Sequence, residues 1–317
     1  ISLSIIKDID IIEILEIIKC NSLILIENIY VIKQFKIKRC NSIEIINNID
    51  HVNDLIIIKC KSLKTIDVNG SKKNIDSVYS LTIKICKSLK NIIGIYNELT
   101  IHNCKSLEEI PVDNIYEDLT IYNCNSIKYI TNSITNNITV YNLYIVGCNS
   151  LISLSNINEL EFSVIGSCDF LSEISNINYL ENTSCYLEIK NCKSLKKMIN
   201  INVSNLLIDK CKSLITLPYC FNKNKGVLIE NCTDLIKYIK KLNLYHEVTM
   251  YIEIDNTNTI RYPYIIEDFN KSNIVINHLS KVNNNESFCN ICYDVEYDYK
   301  NDDNYDEYIE NVPYMEY

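Results

Sequence analysis

The chain has 317 residues and a net charge of −9 at neutral pH, with 47% hydrophobic residues, no Trp, five Gly and four Pro. The charge is uneven: residues 294–317 hold nine acids against Lys300 and sum to −8, which leaves the preceding body near −1. This balance argues against nucleic acid as a partner. No run reaches the roughly 18 apolar residues of a membrane span. The apolar opening, residues 1–19, is broken by Lys7, Asp8, Asp10, Glu13 and Glu16, and it does not read as a signal peptide.

In chain order, one motif keeps returning. Leu55-Ile-Ile57-Ile-Lys-Cys60-Lys-Ser62-Leu63-Lys-Thr-Ile66 recurs as Leu81-Thr-Ile83-Lys-Ile-Cys86-Lys-Ser88-Leu89 and again as Leu99-Thr-Ile101-His-Asn-Cys104-Lys-Ser106-Leu107. Relative to the cysteine, the apolar positions are −5, −3, +3 and +6, with Ser common at +2. The first trace lies at Ser2, Leu3 and Ile6, which fit +2, +3 and +6 of a repeat whose cysteine would precede residue 1. The expectation is therefore a piece of a longer chain that starts inside a coil. Cys-to-Cys spacings then run 20, 20, 26, 18, 20, 24, 20, 24, 19 and 21. A fixed face with return segments of varying length is how a solenoid behaves. Strict alternation at −5 and −3 predicts a half-buried strand before each cysteine. The Cys168 repeat departs from it, because Ser163 stands at −5 between Phe162 and Val164. A one-residue slip turns a strand over, so a bulge is expected near Gly166.

After Cys232 the pattern decays. Met250–Asp255 predicts one more strand, and Ile274–Ile276 with Leu279 a last capping strand. The domain organisation expected is a solenoid of about twelve coils over 1–255, a capping segment over 256–282 and an acidic, Tyr-rich tail over 283–317 that is disordered in isolation.

Eleven of the fifteen cysteines occupy the one repeat position, Cys20 to Cys232, and only Cys185, Cys220, Cys289 and Cys292 fall elsewhere. A thiol that recurs once per coil reads as a small buried side chain. Stacked strands place such residues about 4.8 Å apart, so pairing is not excluded by distance. Reduced thiols and a cytoplasmic setting are the favoured reading; a secreted, disulfide-stabilised adhesin is the alternative.

The unit Leu-x-Ile-x-x-Cys-x-Ser-Leu-x-x-Ile resembles a leucine-rich repeat of the cysteine-containing and plant-resistance subclasses, with Pro111 and Pro218 following +6 as in the latter. The resemblance implies a β-rich solenoid with a parallel sheet on its concave face, where a partner protein binds. Coils of 20 residues leave little room for convex helices, so short irregular or 3-10 segments are expected there. A parallel β-helix is the rival fold. A second, shorter resemblance lies at Phe288-Cys289-Asn-Ile291-Cys292, which is similar to the opening of a RING finger. It implies that Cys289 and Cys292 are two of eight zinc ligands, although the 25 residues that follow hold neither Cys nor His.

The exposed strand positions −4 and −2 are the candidate binding surface. They are basic early, aromatic in the middle and acidic late, and the partner-binding candidates are Lys36, Lys38, Lys84, His102, Tyr122, Tyr144 and Lys190. Aromatic anchors of this type dominate protein interfaces, while Tyr and Thr also simply favour strands. Position +1 carries Lys61, Lys87, Lys105, Lys193 and Lys212. Like charges one rung apart repel, which reads as a mark of an anionic partner, a guard against aggregation or a solvated face. The four histidines are scattered and the glycines form no phosphate-cradling loop. The expectation is a non-enzymatic, monomeric protein-interaction module without a cofactor. The alternative is the substrate-recognition part of a RING-type ubiquitin ligase, with zinc in a domain truncated here.

Overall fold

A computed structural model describes residues 3–68, 78–94, 96–110, 115–130, 138–179, 185–203, 205–215, 226–235, 251–255, 260–262 and 275–279. All of them lie in one compact unit, Ile1–Ser280. The tail, with Cys289 and Cys292, lies outside the described residues.

Strands dominate. In chain order they are β1 (Ile5–Ile18), β2 (Leu25–Lys38), β3 (Ile45–Asp50), β4 (Val52–Ile58), β5 (Thr65–Asp67), β6 (Val78–Lys84), β7 (Asn91–Ile93), β8 (Glu98–His102), β9 (Ile115–Tyr122), β10 (Tyr129–Ile130) and β11 (Ile138–Val146). They continue with β12 (Ser153–Leu160), β13 (Phe162–Gly166), β14 (Glu173–Tyr179), β15 (Tyr186–Lys190), β16 (Lys197–Asn202), β17 (Asn205–Asp209), β18 (Gly226–Glu230), β19 (Tyr251–Asp255), β20 (Ile260–Tyr262) and β21 (Val275–Leu279).

The strand before each cysteine pairs in parallel with its counterpart one repeat on. This first ladder runs β1–β2–β4–β6–β8–β9–β11–β13–β15–β17–β18. Its register keeps the −3 position in line, Ile37 against Ile57, Ile83, Ile101 and Ile121 in turn. Those side chains are fully buried. The chain is a β-solenoid.

The other side of the coil was expected to be irregular. Instead a second parallel ladder forms from the N-terminal halves of β1 and β2 with β3, β5 and β7, and resumes through β10, β12, β14 and β16. Strands on both sides are what the β-helix alternative carries. The ladder is interrupted in the Cys104 coil, where residues 107–110 take no strand although Ile110 stays buried.

Corners make this possible. The residue before every repeat cysteine has a positive φ: Lys19, Arg39, Lys59, Ile85, Asn103, Asn123, Gly147, Ser167, Asn191, Lys210 and Asn231. A left-handed residue turns the chain sharply, and it suits Gly and Asn best. At Gly147 an added Cβ would sit 2.1 Å from the Asn123 amide oxygen. A tight turn follows, its i+3 amide donating to the cysteine carbonyl, as in Leu63 N to Cys60 O at 3.3 Å and Leu171 N to Cys168 O at 3.1 Å. A second left-handed corner recurs at +8: Asn28, Asn48, Asn156, Asn176 and Asn200.

Two details differ from expectation. No bulge lies at Gly166: β13 pairs with β11 and β15 without a register shift. Ser163 stays at its inward position, fully buried, where its Oγ is paired with the hydroxyl of the buried Tyr179 at 2.7 Å. Between the two predicted late strands, β19 and β21, no third was foreseen. β20 pairs antiparallel with both β18 and β19, while β19 and β21 pair in parallel, so the parallel stack ends at β18.

Candidate binding surface

Repeat thiols lie against the carbonyl two residues back in their own coil, and in several rungs also against a carbonyl of the preceding coil. Cys40 Sγ lies 3.5 Å from Lys38 O in its own coil and 3.6 Å from Ile17 O in the preceding one. Cys124 repeats this with Tyr122 O and Ile101 O, and Cys211 with Asp209 O and Ile189 O. The left-handed corner turns these oxygens towards the interior, and a thiol is a small donor that fits among them. The described cysteines are free thiols. Burial pushes the pKa up at Cys40, to about 11, and at Cys104 and Cys232, to about 12, whereas the contact with the Cys86 thiol lowers it at Cys60. Thiols held in the neutral form are poor nucleophiles and poor metal ligands. Their place here is structural.

Side chains that point outward from the first ladder form the candidate surface. Register puts Lys38, Ile58, Lys84, His102, Tyr122, Val146, Gly166 and Lys190 in one line across successive strands. Lys36 and Tyr144 stand in the neighbouring line, with Ile56, Thr82, Thr100 and Thr120 between them. The seven sequence-derived candidates thus share one face but not one cluster. Lys36 is ion-paired to Glu16 at 3.6 Å, at the early end. His102 and Tyr122 meet edge to face, with centroids 6.0 Å apart. Tyr144 turns the other way.

Tyr144 packs on Phe162 at 5.6 Å, and Phe162 stacks on Tyr186 at 5.2 Å with an interplanar angle of 21°. These three rings lie on consecutive strands β11, β13 and β15. Tyr186 donates from its hydroxyl to Glu188 Oε2 at 2.8 Å, and Glu188 also holds Lys190 at 2.6 Å. Phe162 and Tyr186 occupy position −6, one step before the positions considered from sequence. The misplaced apolar Phe162 beside Ser163 was the available signal, and it marked an outward ring rather than a slipped strand.

Charge along the face is set by partial burial. His102 is pushed down to about 4, by burial first and then by the Lys84 ammonium, so the imidazole is neutral at pH 7. Asp54 and Glu98, at −6 on β4 and β8, are both raised by burial, and Glu98 further by Asp118 and Glu117. Among the described residues no three His, Cys, Asp or Glu side chains gather as a metal site, and no helix is long and apolar enough to cross a membrane.

The fold and this surface define a class: a parallel β-solenoid that carries a line of aromatic rings on the outside of a continuous ladder. Compared with protein-family models, curated proteins and solved structures, the chain matches none.

Proposed function

We propose that the solenoid is a protein-interaction module and that its partner docks on the outer face of the first ladder. The observation that carries this reading is the Tyr144–Phe162–Tyr186 stack. Half-buried aromatic rings held in fixed positions lose little side-chain freedom on binding, and Tyr is among the residues enriched at interface hot spots. The ladder beneath them is in register on both sides, so the platform is rigid. In this reading the module works as a monomer inside the cell, with reduced thiols, no cofactor and no catalytic step.

Affinity capture with the wild type and with Tyr144→Ala/Phe162→Ala/Tyr186→Ala tests it. The partner is expected in the wild-type eluate and depleted about tenfold or more from the variant, with both proteins melting at similar temperatures. An identical set of retained proteins would remove the aromatic face from the interaction.

A further inference from the structure

We propose that the corner ridge formed by Lys61, Lys84, Lys87 and Lys105 is a second docking site, and that it takes an extended acidic segment of a partner protein. This rests on the reading of the solenoid as an interaction module, and it gives that module a partner chemistry at a surface distinct from the aromatic stack.

The ridge follows the left-handed corner over the Cys60, Cys86 and Cys104 coils. Ile58, Lys84 and His102 are in register across β4, β6 and β8, so these coils are successive rungs about 4.8 Å apart. Lys61, Lys87 and Lys105 stand exposed one residue after each cysteine. None of the four lysines takes part in an ion pair among the described residues. Positions −2, −1 and +1 of these three coils hold no carboxylate.

Later coils treat the same positions differently. Lys190 is paired with Glu188 at 2.6 Å, Lys193 with Asp169 at 3.0 Å and Lys210 with Asp209 at 3.6 Å. Stacking does not require bare lysines at the corner, since the same fold neutralises most of them further along, Lys212 being left without an ion pair among the described residues.

A second observation concerns what the lysines replace. At Asn21, Asn125 and Asn149 the +1 amide oxygen accepts from the +1 main-chain N–H of the next coil, at 3.3, 3.1 and 3.2 Å. Lys has no acceptor. Asn41 at the same position leaves its amide oxygen without a partner, while Lys61, Lys87 and Lys105 offer no such acceptor on three successive rungs and set like charges side by side. The field is felt locally, because the Lys84 ammonium helps to keep His102 unprotonated.

Width selects the ligand. Asp54 and Glu98 stand at the far end of the same strands, four residues from the −2 line, or about 13 Å at 3.3 Å per residue. An extended peptide fits between that margin and the ridge. A nucleic-acid duplex is wider and would lay its phosphates against those carboxylates.

A labelled oligoglutamate peptide of about ten residues, long enough to overrun three rungs, is the probe, read by fluorescence anisotropy on the full chain. Binding is expected at low ionic strength and is lost at high salt, because the contacts are exposed. Lys61→Glu/Lys87→Glu/Lys105→Glu is expected to weaken it about tenfold or more, and the milder Lys→Gln triple variant by an intermediate factor, each with an unchanged melting temperature. Lys193→Glu/Lys212→Glu and Tyr144→Ala/Phe162→Ala are expected to bind the peptide like the wild type, so loss of the aromatic-face reading leaves this result standing. No binding at low salt, an equal loss on reversing Lys193 and Lys212, or tighter binding of a single-stranded oligothymidylate of matched charge would overturn the proposal.

Discussion

His102 illustrates how a single side chain on the ladder reports its surroundings. Its folded pKa is about 4, against about 6.5 in an unfolded chain. Between those values the unfolded chain binds the extra proton, so stability falls as pH drops from 6.5 towards 4. Asp54 and Glu98 act in the opposite sense, since raised carboxyl values contribute stability at low pH that is lost as pH rises. His102→Gln isolates the imidazole. Urea melts at pH 7 and pH 4.5 are expected to show the wild type losing about 2 kcal/mol more than the variant. A parallel loss in both proteins would mean that the ring is solvated. A second test concerns the Ser163–Tyr179 contact, which closes a buried hydroxyl pair at 2.7 Å. Tyr179→Phe leaves Ser163 Oγ only the longer contact with Tyr186 O at 3.4 Å. The expected cost is about 1–2 kcal/mol, and Ser163→Ala/Tyr179→Phe is expected to recover part of it.

The elements are tied together by amide ladders at their corners. Asn176 donates to Asn156 at 3.0 Å, accepts from Asn200 at 2.9 Å and sits at φ 52. Asn28 does the same between Asp8 and Asn48 at the start of the stack. Asn176→Gly keeps the backbone conformation and loses the two bonds, for about 1–2 kcal/mol. Asn176→Val also forces a β-branched residue into the left-handed region, for about 1–2 kcal/mol more. Chemical denaturation of the pair is expected to separate these contributions, and equal midpoints would show that φ at 176 relaxes. The same corners explain what was legible in the sequence. The strand before each cysteine was readable, because Leu, Ile and Cys recur at fixed offsets. The second ladder was not, because its strands lie where repeat length varies between 18 and 26 residues. Its one regular marker, Asn at +8, is hard to see in a chain this rich in Asn. Nor does the periodicity report what Ser at +2 does: Ser22 and Ser126 donate to carbonyls of the preceding coil, Leu3 O and Lys105 O. On the candidate surface the −2 and −4 lines followed from alternation alone, whereas the ring stack depends on side chains leaning across rungs from position −6, which no periodicity reports.

At the scale of the molecule, every coil presents nearly the same two faces to its neighbours. The −3 line is Ile from Ile17 to Ile208 in every described rung, and the corner before the cysteine is left-handed in all eleven repeats. Stability in such a stack is close to a sum of coil terms and nearest-neighbour terms. Removal of one whole period therefore differs in kind from removal of part of one. Deleting residues 41–60 joins Cys40 to Lys61 and brings β2 against β6. Ile37 then meets Ile83, Phe35 meets Leu81 and Ile26 meets Ile66, with inward and outward positions preserved on both ladders. The shortened chain is expected to keep its β-sheet circular dichroism and to unfold cooperatively, with a urea m-value lower by about a tenth, in proportion to the surface lost. Deleting residues 41–50 instead removes the turn and β3 while keeping β4. The N-terminal coils then have no second ladder on which to close, and they are expected to unfold before the rest in a separate transition. If both deletions melted alike, the coils would not be interchangeable units of one continuous stack.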